Sequence, residues 1–566
     1  MTNSLKNLRK FMTENDLSFF VVPSTDEYLN EYNELSNNAR FAVTNFSGST
    51  GDAIITLNEA YLFVDGRYHK QADDEVDKNL VKVVKLDISQ PMKQSLFDKL
   101  EELATEDSKI GIIGSKTSFK DFKKLDEKNL NLVEYNSDIV LDLANTKNKK
   151  NSLQKLNFVP IEISGKSSDE KLELIKKQLK TEAFVITKLE EIAYLSNLRS
   201  FEIPFSSSFK GKAVISLGKC FIFADIENLE KIKSKFSEKF EFLPENEFGD
   251  FVKKLDKFTK IGLDFGSITL KTYRELENTG CVLIETASPI AEMKAIKTEA
   301  EINHMKECFL CSDIVLNRVI CWVRQSLDKG EIITEKDLSD KVTQYFNEQG
   351  ALGLSFNTIA SADKHTAIIH YGNPSPEHII TDGSLVLLDF GGYFDGGYAT
   401  DCTRSFLASK QNTLATEEQK FVYTSVLRGI LHGLNYPVTT ETSGFDIDSK
   451  VREIVNQNLK DGFSFSHGTG HGVGISVHEF PPSISSSELA KTPLKAGNVF
   501  TIEPGLYNEN WGGVRLENTV FIQEKNGILS IKTLVKYNFD KKLINYEMLS
   551  EEEKTWLLTY QKSAIG

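Results

Sequence analysis

GDAIITLNEAYLFVD, residues 51–65, returns at residues 211–225 as GKAVISLGKCFIFAD. Both stretches alternate as two short strands joined by a turn, at Asn58-Glu59 in the first copy and Gly218-Lys219 in the second. Upstream, FFVVPSTDEYL from Phe19 to Leu29 matches AFVITKLEEIAYL from Ala183 to Leu195, each an apolar strand running into an acidic turn and a helix. Downstream, KIGIIGSKTSFKDFKKL from Lys109 matches KIGLDFGSITLKTYREL from Lys260. Chance likeness between βαβ-like units is the competing reading. Three blocks in the same order point instead to two copies of one α/β domain, at residues 1–150 and 151–296.

The strand pattern gives way at AEMKAIKTEAEINHM to a long, charge-alternating helical pattern, which opens a third domain at residues 297–566. That domain mixes a helix over Glu417 to Leu434 with strands over Ser384 to Asp389, Val499 to Glu503 and Gly513 to Ile522. The pattern suggests an α+β layout with antiparallel strands. A chain of 566 residues is long enough for three or four domains, each with its own core.

Composition excludes several classes of function. A net charge of -14 repels phosphate backbones, and no basic stripe is present, so nucleic acid is not an expected partner. The start, MTNSLKNLRKFMTENDL, is amphipathic at helical spacing and lacks the apolar core of a signal peptide. No apolar run approaches the ~20 residues of a membrane-spanning helix, so no membrane partner is expected and the protein should be cytoplasmic. Six cysteines in so long a chain are too sparse for a disulfide framework. Cys308 and Cys311 form a CxxC, but no second pair accompanies it, and EINHMKECFLCSDIVLNRVICWV reads as one amphipathic helix that packs both thiols.

Eight of the nine histidines lie at or after His304, which points to the third domain for chemistry. His370, His467, His471 and His478 are interleaved there with carboxylates at the ends of strand-like runs: Asp389, Asp401, Glu503 and Glu517. An isolated carboxylate in such a place is more often a turn residue or helix cap. Four of them converging with an imidazole would need cations, because a buried charge is costly unless paired or metal-bound. The glycine-rich HGTGHGVG is not a phosphate loop, since it matches neither nucleotide-binding spacing and carries two histidines where phosphate would approach.

DFGGYFDGGYATDCTRS, HGTGHGVGISVHE, TIEPGLY and VRLEN, in that order, resemble the pita-bread metallopeptidase clan of methionine aminopeptidases, prolidases, aminopeptidase P and the metal-free creatinases. DGRY at Asp65 to Tyr68, LSNLRSFEIPF from Leu195, GLSFNTIAS from Gly353 and the tail SEEEKTWLLTY extend the likeness over nearly the whole chain. They resemble the long, three-domain form of aminopeptidase P. The resemblance implies two creatinase-N-like α/β domains followed by a pita-bread α+β catalytic domain. It also implies a homodimer and, as substrates, peptides with proline at the second position. Carried over residue by residue, it implies that Asp389, Asp401, His471, Glu503 and Glu517 hold two divalent metal ions. An oxygen-rich set of this kind favours Mn²⁺, with Zn²⁺ or Co²⁺ also compatible.

In the implied mechanism Glu503 is general base and acid, His467 and His478 hold the scissile carbonyl and its developing oxyanion, His370 contacts substrate, and Arg515 and Tyr507 tie down the ligands. Two spacings depart from the usual pattern. Asp389 and Asp401 are one residue further apart, through Gly396-Gly397, and His471 to His478 is two residues shorter than in the common long form. Prolidase, which cuts only Xaa-Pro dipeptides, is the rival enzyme, and its usual single N-terminal domain disfavours it. A non-catalytic binding paralogue is the rival from another class, and it would be expected to have lost ligands.

Overall fold

The computed structural model describes residues 3–87, 89–144, 153–457 and 459–564. The expected junction between residues 150 and 151 lies outside the described residues. The chain divides into two compact units. The first comprises Met1–Val159, Lys166–Pro204 and Ser208–Ile290, and the second comprises Pro160–Gly165, Phe205–Ser207 and Ala291–Gly566.

The first unit contains two six-stranded sheets of identical topology. One has the spatial order Lys82–Lys85, Ala60–Val64, Asp52–Thr56, Phe19–Val22, Lys109–Ile113, Asn131–Tyr135. The other has the order Phe240–Leu243, Lys219–Phe223, Lys212–Ser216, Ala183–Ile186, Lys260–Leu263, Val282–Glu285. In each sheet the matched hairpin and its pairing with the first strand are antiparallel, and the three remaining pairings are parallel. The second hairpin turns at Leu217 and Gly218, one residue earlier than expected; both have positive φ, 52° and 80°, the backbone that a tight hairpin turn requires.

The two copies meet at equivalent positions. Phe119 N donates to Ile268 O and Leu270 N donates to Thr117 O, a reciprocal pair around the Ser118 and Thr269 bridge. Ser118 and Thr269 are themselves the capping residues of matched helices, Phe119–Asp126 and Leu270–Glu277. Such a self-complementary contact is what a two-fold relation between two copies produces. Phe119, Phe265 and Tyr273 fill its centre.

In the second unit the helix Glu299–Lys329 opens with a Thr298/Glu301 capping box and closes on Gly330 in the left-handed region. It contains Cys308 and Cys311, both free thiols. Beyond it the strands pair antiparallel, as expected. Ile359–Ala362, Leu385–Phe390 and Cys402–Leu407 form one sheet. Glu479–Ile484, Gly470–Gly472, Val499–Ile502, Asn518–Lys525 and Ile528–Thr533 form another. The helices Glu417–Leu434 and Gly444–Asn456 pack through Val422, Val426, Ile430, Ile447 and Val451 into a core shared with Phe500, Ile502 and Val520.

One expected strand is really two. Residues 513–522 divide into Gly512–Arg515, paired with Gly505–Asn508, and Asn518–Lys525, paired with Val499–Ile502. The chain changes sheets at Leu516 and Glu517, whose N–H groups donate to Pro504 O and Thr403 O instead of to one continuous ladder.

Candidate metal centre

The three-stranded sheet sets the first two carboxylates. Asp389 is next to last in Leu385–Phe390, directly opposite Thr403, and Asp401 immediately precedes Cys402–Leu407. Residues two apart on a strand share a face, so Asp401 and Asp389 point to the same side. The intervening segment absorbs its additional glycine in a turn closed by Gly397 N to Phe394 O, with Gly396 and Gly397 both at positive φ. Glu517 sits at the sheet change described above, and Glu503 follows Val499–Ile502 with its N–H on Thr469 O. His471 lies in the short strand Gly470–Gly472, its N–H on Thr501 Oγ1.

These side chains converge. Ligand atoms of Asp401, His471 and Glu517 lie within 4.8 Å of one another. His471 Nε2 is 3.5 Å from Asp401 Oδ2 and 3.4 Å from Glu503 Oε1. Its Nδ1 faces Gly472 O at 3.0 Å; a carbonyl only accepts, so Nδ1 carries the proton and Nε2 turns its lone pair toward the carboxylates. Asp389 Oδ2 accepts from Arg515 Nη2 at 2.8 Å, while its Oδ1 is buried with no hydrogen bond among the described residues.

Electrostatics point the same way. Burial, then the Asp389 and Glu503 charges, raises the Asp401 carboxyl well above the usual range. Burial and the neighbouring carboxylates raise Glu517 likewise. Burial pushes Glu503 up to about 7, with Asp389 adding to the shift and Arg515 and His478 opposing it. Four carboxylates that repel one another, an orphaned carboxylate oxygen and an imidazole lone pair aimed among them make a donor set suited to divalent cations.

The residues around the cluster form a second layer. Arg515 Nη1 donates to Tyr507 OH at 2.9 Å, Tyr507 OH faces His467 Nε2 at 2.8 Å, and His467 Nδ1 faces Gly468 O at 2.8 Å. Both ring nitrogens of His467 thus belong to a chain that ends on Asp389, whereas the sequence reading gave this imidazole a substrate carbonyl. His478 stacks edge to face on His471, with ring centroids 4.5 Å apart. His370 is half-buried, and the carbonyl of its neighbour Ile369 accepts from Arg515 Nη2 at 3.3 Å. The shortened segment after His471 closes by pairing Gly472 with Glu479, across a bulge at His471.

Several supports are not named in the sequence reading. Thr403 Oγ1 donates to Glu517 Oε2 at 2.9 Å, and Thr501 Oγ1 reaches Glu503 Oε1 at 3.3 Å. Asp448 accepts from Thr469 N and Oγ1, and Arg452 donates to the carbonyls of Phe465 and His467. The legible signal was the i, i+4 Asp-Arg pair on the helix Gly444–Asn456, and nothing in its spacing said that it clamps the histidine loop.

Residues 303–524 match the profile of Metallopeptidase family M24, and residues 5–140 and 148–301 each match a Creatinase/Prolidase N-terminal domain. The class is therefore that of the M24 metallopeptidases with two creatinase-like domains in front. A probable Xaa-Pro aminopeptidase P of Laccaria bicolor is 31% identical over 99% of this chain and 89% of its own length. An X-prolyl aminopeptidase of Caenorhabditis elegans, described as a cytosolic enzyme with a di-nuclear active site, superposes with a TM-score of 0.89 at 25% identity, covering 98% of this chain and 94% of that one. A prolidase of Pyrococcus furiosus is similar in fold, with a TM-score of 0.53, but its full length spans only 65% of this chain. The chain belongs to the aminopeptidase P family.

Proposed function

We propose that this protein is a Xaa-Pro aminopeptidase, a hydrolase that releases the first residue from peptides whose second residue is proline. The observation that carries the reading is the convergence of Asp389, Asp401, His471, Glu503 and Glu517 at the heart of a chain similar to aminopeptidase P from end to end. Those five residues would hold two divalent cations, and the hard, oxygen-rich donor set favours Mn²⁺, with Zn²⁺ or Co²⁺ as alternatives. Bound cations supply the positive charge that favours ionisation of an attacking water and polarises the scissile carbonyl.

The protein's own groups account for the remaining steps. Glu503 takes the proton of the attacking water and passes it to the departing proline nitrogen. In this reading His478, in contact with His471, and His370 donate to the carbonyl and the developing oxyanion. Tyr507, His467 and Arg515 fix the orientation of Asp389. The division into domains at residues 1–150, 151–296 and 297–566, a homodimeric state and a cytoplasmic location belong to the same proposal. Among the described residues no helix is long and apolar enough to cross a membrane.

The experiment is a peptide panel with defined added metal. Arg-Pro-Pro should be cut after its first residue, and Arg-Ala-Pro should resist. Cleavage of Xaa-Pro dipeptides alone, with longer Xaa-Pro peptides left intact, would make the protein a prolidase instead.

A further inference from the structure

A second group of side chains that could hold a metal ion shares no member with the carboxylate cage: Glu335, His365 and His378 bring ligand atoms within 4.8 Å of one another. Glu335 is the first residue of the helix Glu335–Glu348 and is fully buried. Its carboxylate accepts from Ala362 N, Ser375 N and Tyr371 OH, and His365 Nδ1 straddles both oxygens at 3.1 and 3.0 Å. A carboxylate offers about four lone-pair sites, so the three donors other than the imidazole leave one for a cation. No Lys or Arg pairs with Glu335 among the described residues. The imidazole of His378 packs on that of His365, with ring centroids 4.5 Å apart. Its Nε2 is buried without a hydrogen bond and lies 3.7 Å from Asp363 Oδ2.

We propose that Glu335, His365 and His378, with Asp363 as a fourth donor, form a binding site for a zinc-like divalent cation, separate from the five-residue cage. Two zinc ligands at bond lengths of ~2.1 Å and a tetrahedral angle are about 3.4 Å apart. The His365 to Glu335 and His378 to Asp363 separations bracket that value. Two imidazoles and carboxylate oxygens suit Zn²⁺, Co²⁺ or Ni²⁺ better than Mg²⁺ or Ca²⁺, in contrast to the cage with its single imidazole. The entry path is open, since the side chains of His365, His378 and Asp363 are 35%, 30% and 41% exposed. An ion there ties His365 and His378, which flank His370 in the sequence, to one helix end.

The test is equilibrium dialysis of the full-length protein against Zn²⁺, with bound metal counted per chain, for wild type, His378→Ala and His365→Asn. Wild type should bind one ion more than either variant at saturation, and the same difference should persist when Glu517→Gln has weakened the cage. Equal counts in wild type and both variants overturn the proposal. Saturation of wild type at two ions overturns it without reference to any variant.

Discussion

One buried carboxylate, Glu479, and the four carboxylates of the cage are treated in opposite ways by the chain. Glu479 is 2% exposed and is met by Lys294 and Lys297, both also buried. Burial opposes its charge, but the two lysines outweigh that and hold its carboxyl below the usual range. At the cage, Asp389, Asp401, Glu503 and Glu517 share one arginine, Arg515, which bonds to Asp389 alone. The other three have no Lys or Arg partner among the described residues, and their carboxyls are raised. A fold that supplies two ammonium groups for one carboxylate at Glu479, yet leaves four carboxylates almost uncompensated nearby, leaves the remaining charge to be balanced from outside the chain.

The comparison is broken most severely by removing a charge from the cage. Glu517→Gln should lower bound Mn²⁺ and kcat/KM together, the rate by at least about a hundredfold, beyond the 10- to 100-fold typical of losing an outer support. Metal analysis beside peptide kinetics measures both, and unchanged occupancy would remove Glu517 from the ligand set.

Removing charge from the balanced site should do something different. Glu479→Met leaves Lys294 and Lys297 buried without a carboxylate partner and should destabilise the protein by roughly 3–5 kcal/mol, with metal stoichiometry unchanged. A Lys294→Met/Lys297→Met/Glu479→Met triple variant should recover much of that loss in thermal melts. Loss of metal in step with stability would show that the two groups are not independent.

Tyr507→Phe sharpens the comparison within the cage, because it cuts the chain from Arg515 to His467 and leaves every proposed ligand in place. It should cost about 10- to 100-fold in kcat/KM at near-normal metal content. A fall in metal content as large as the fall in rate would instead make the chain a requirement for binding.

The smallest effect is on pH dependence. Glu503 has its ordinary value of 4.5 when unfolded and about 7 in the folded, ion-free protein, so between these values the folded state holds the extra proton. Its contribution is fully present below about 4.5 and is lost as pH rises through about 7. The melting temperature of the ion-free protein should therefore fall between roughly pH 4.5 and 7, and divalent cations should restore most at the upper end. A flat profile would show that Glu503 is not held up by its neighbours.

The fold was legible because hydrophobic alternation repeats. The matched strand blocks around residues 51–65 and 211–225 fold into two sheets of the same order, and the helix Glu417–Leu434 has the bounds its pattern indicates. The strand over residues 513–522 was misread because an apolar run does not say which sheet it joins, and here it leaves one for another at Glu517. At the cage, the glycine-flanked acidic and imidazole groups announced themselves by type and order. The partners of His467 did not, because a tautomer and its hydrogen bonds depend on Tyr507 and Gly468 O in space. The Glu335, His365 and His378 group was equally hidden, since its members are drawn from a helix start, a short 3-10 helix and the residue before a strand, with no shared spacing.

The most direct test of the central claim is a titration of ion-free protein with Mn²⁺, with bound metal and cleavage of Arg-Pro-Pro followed in the same samples. The account predicts no cleavage without metal and a rate that reaches its plateau at two ions per chain. Full cleavage by the ion-free protein, or a plateau that Glu517→Gln reaches equally well, would contradict it.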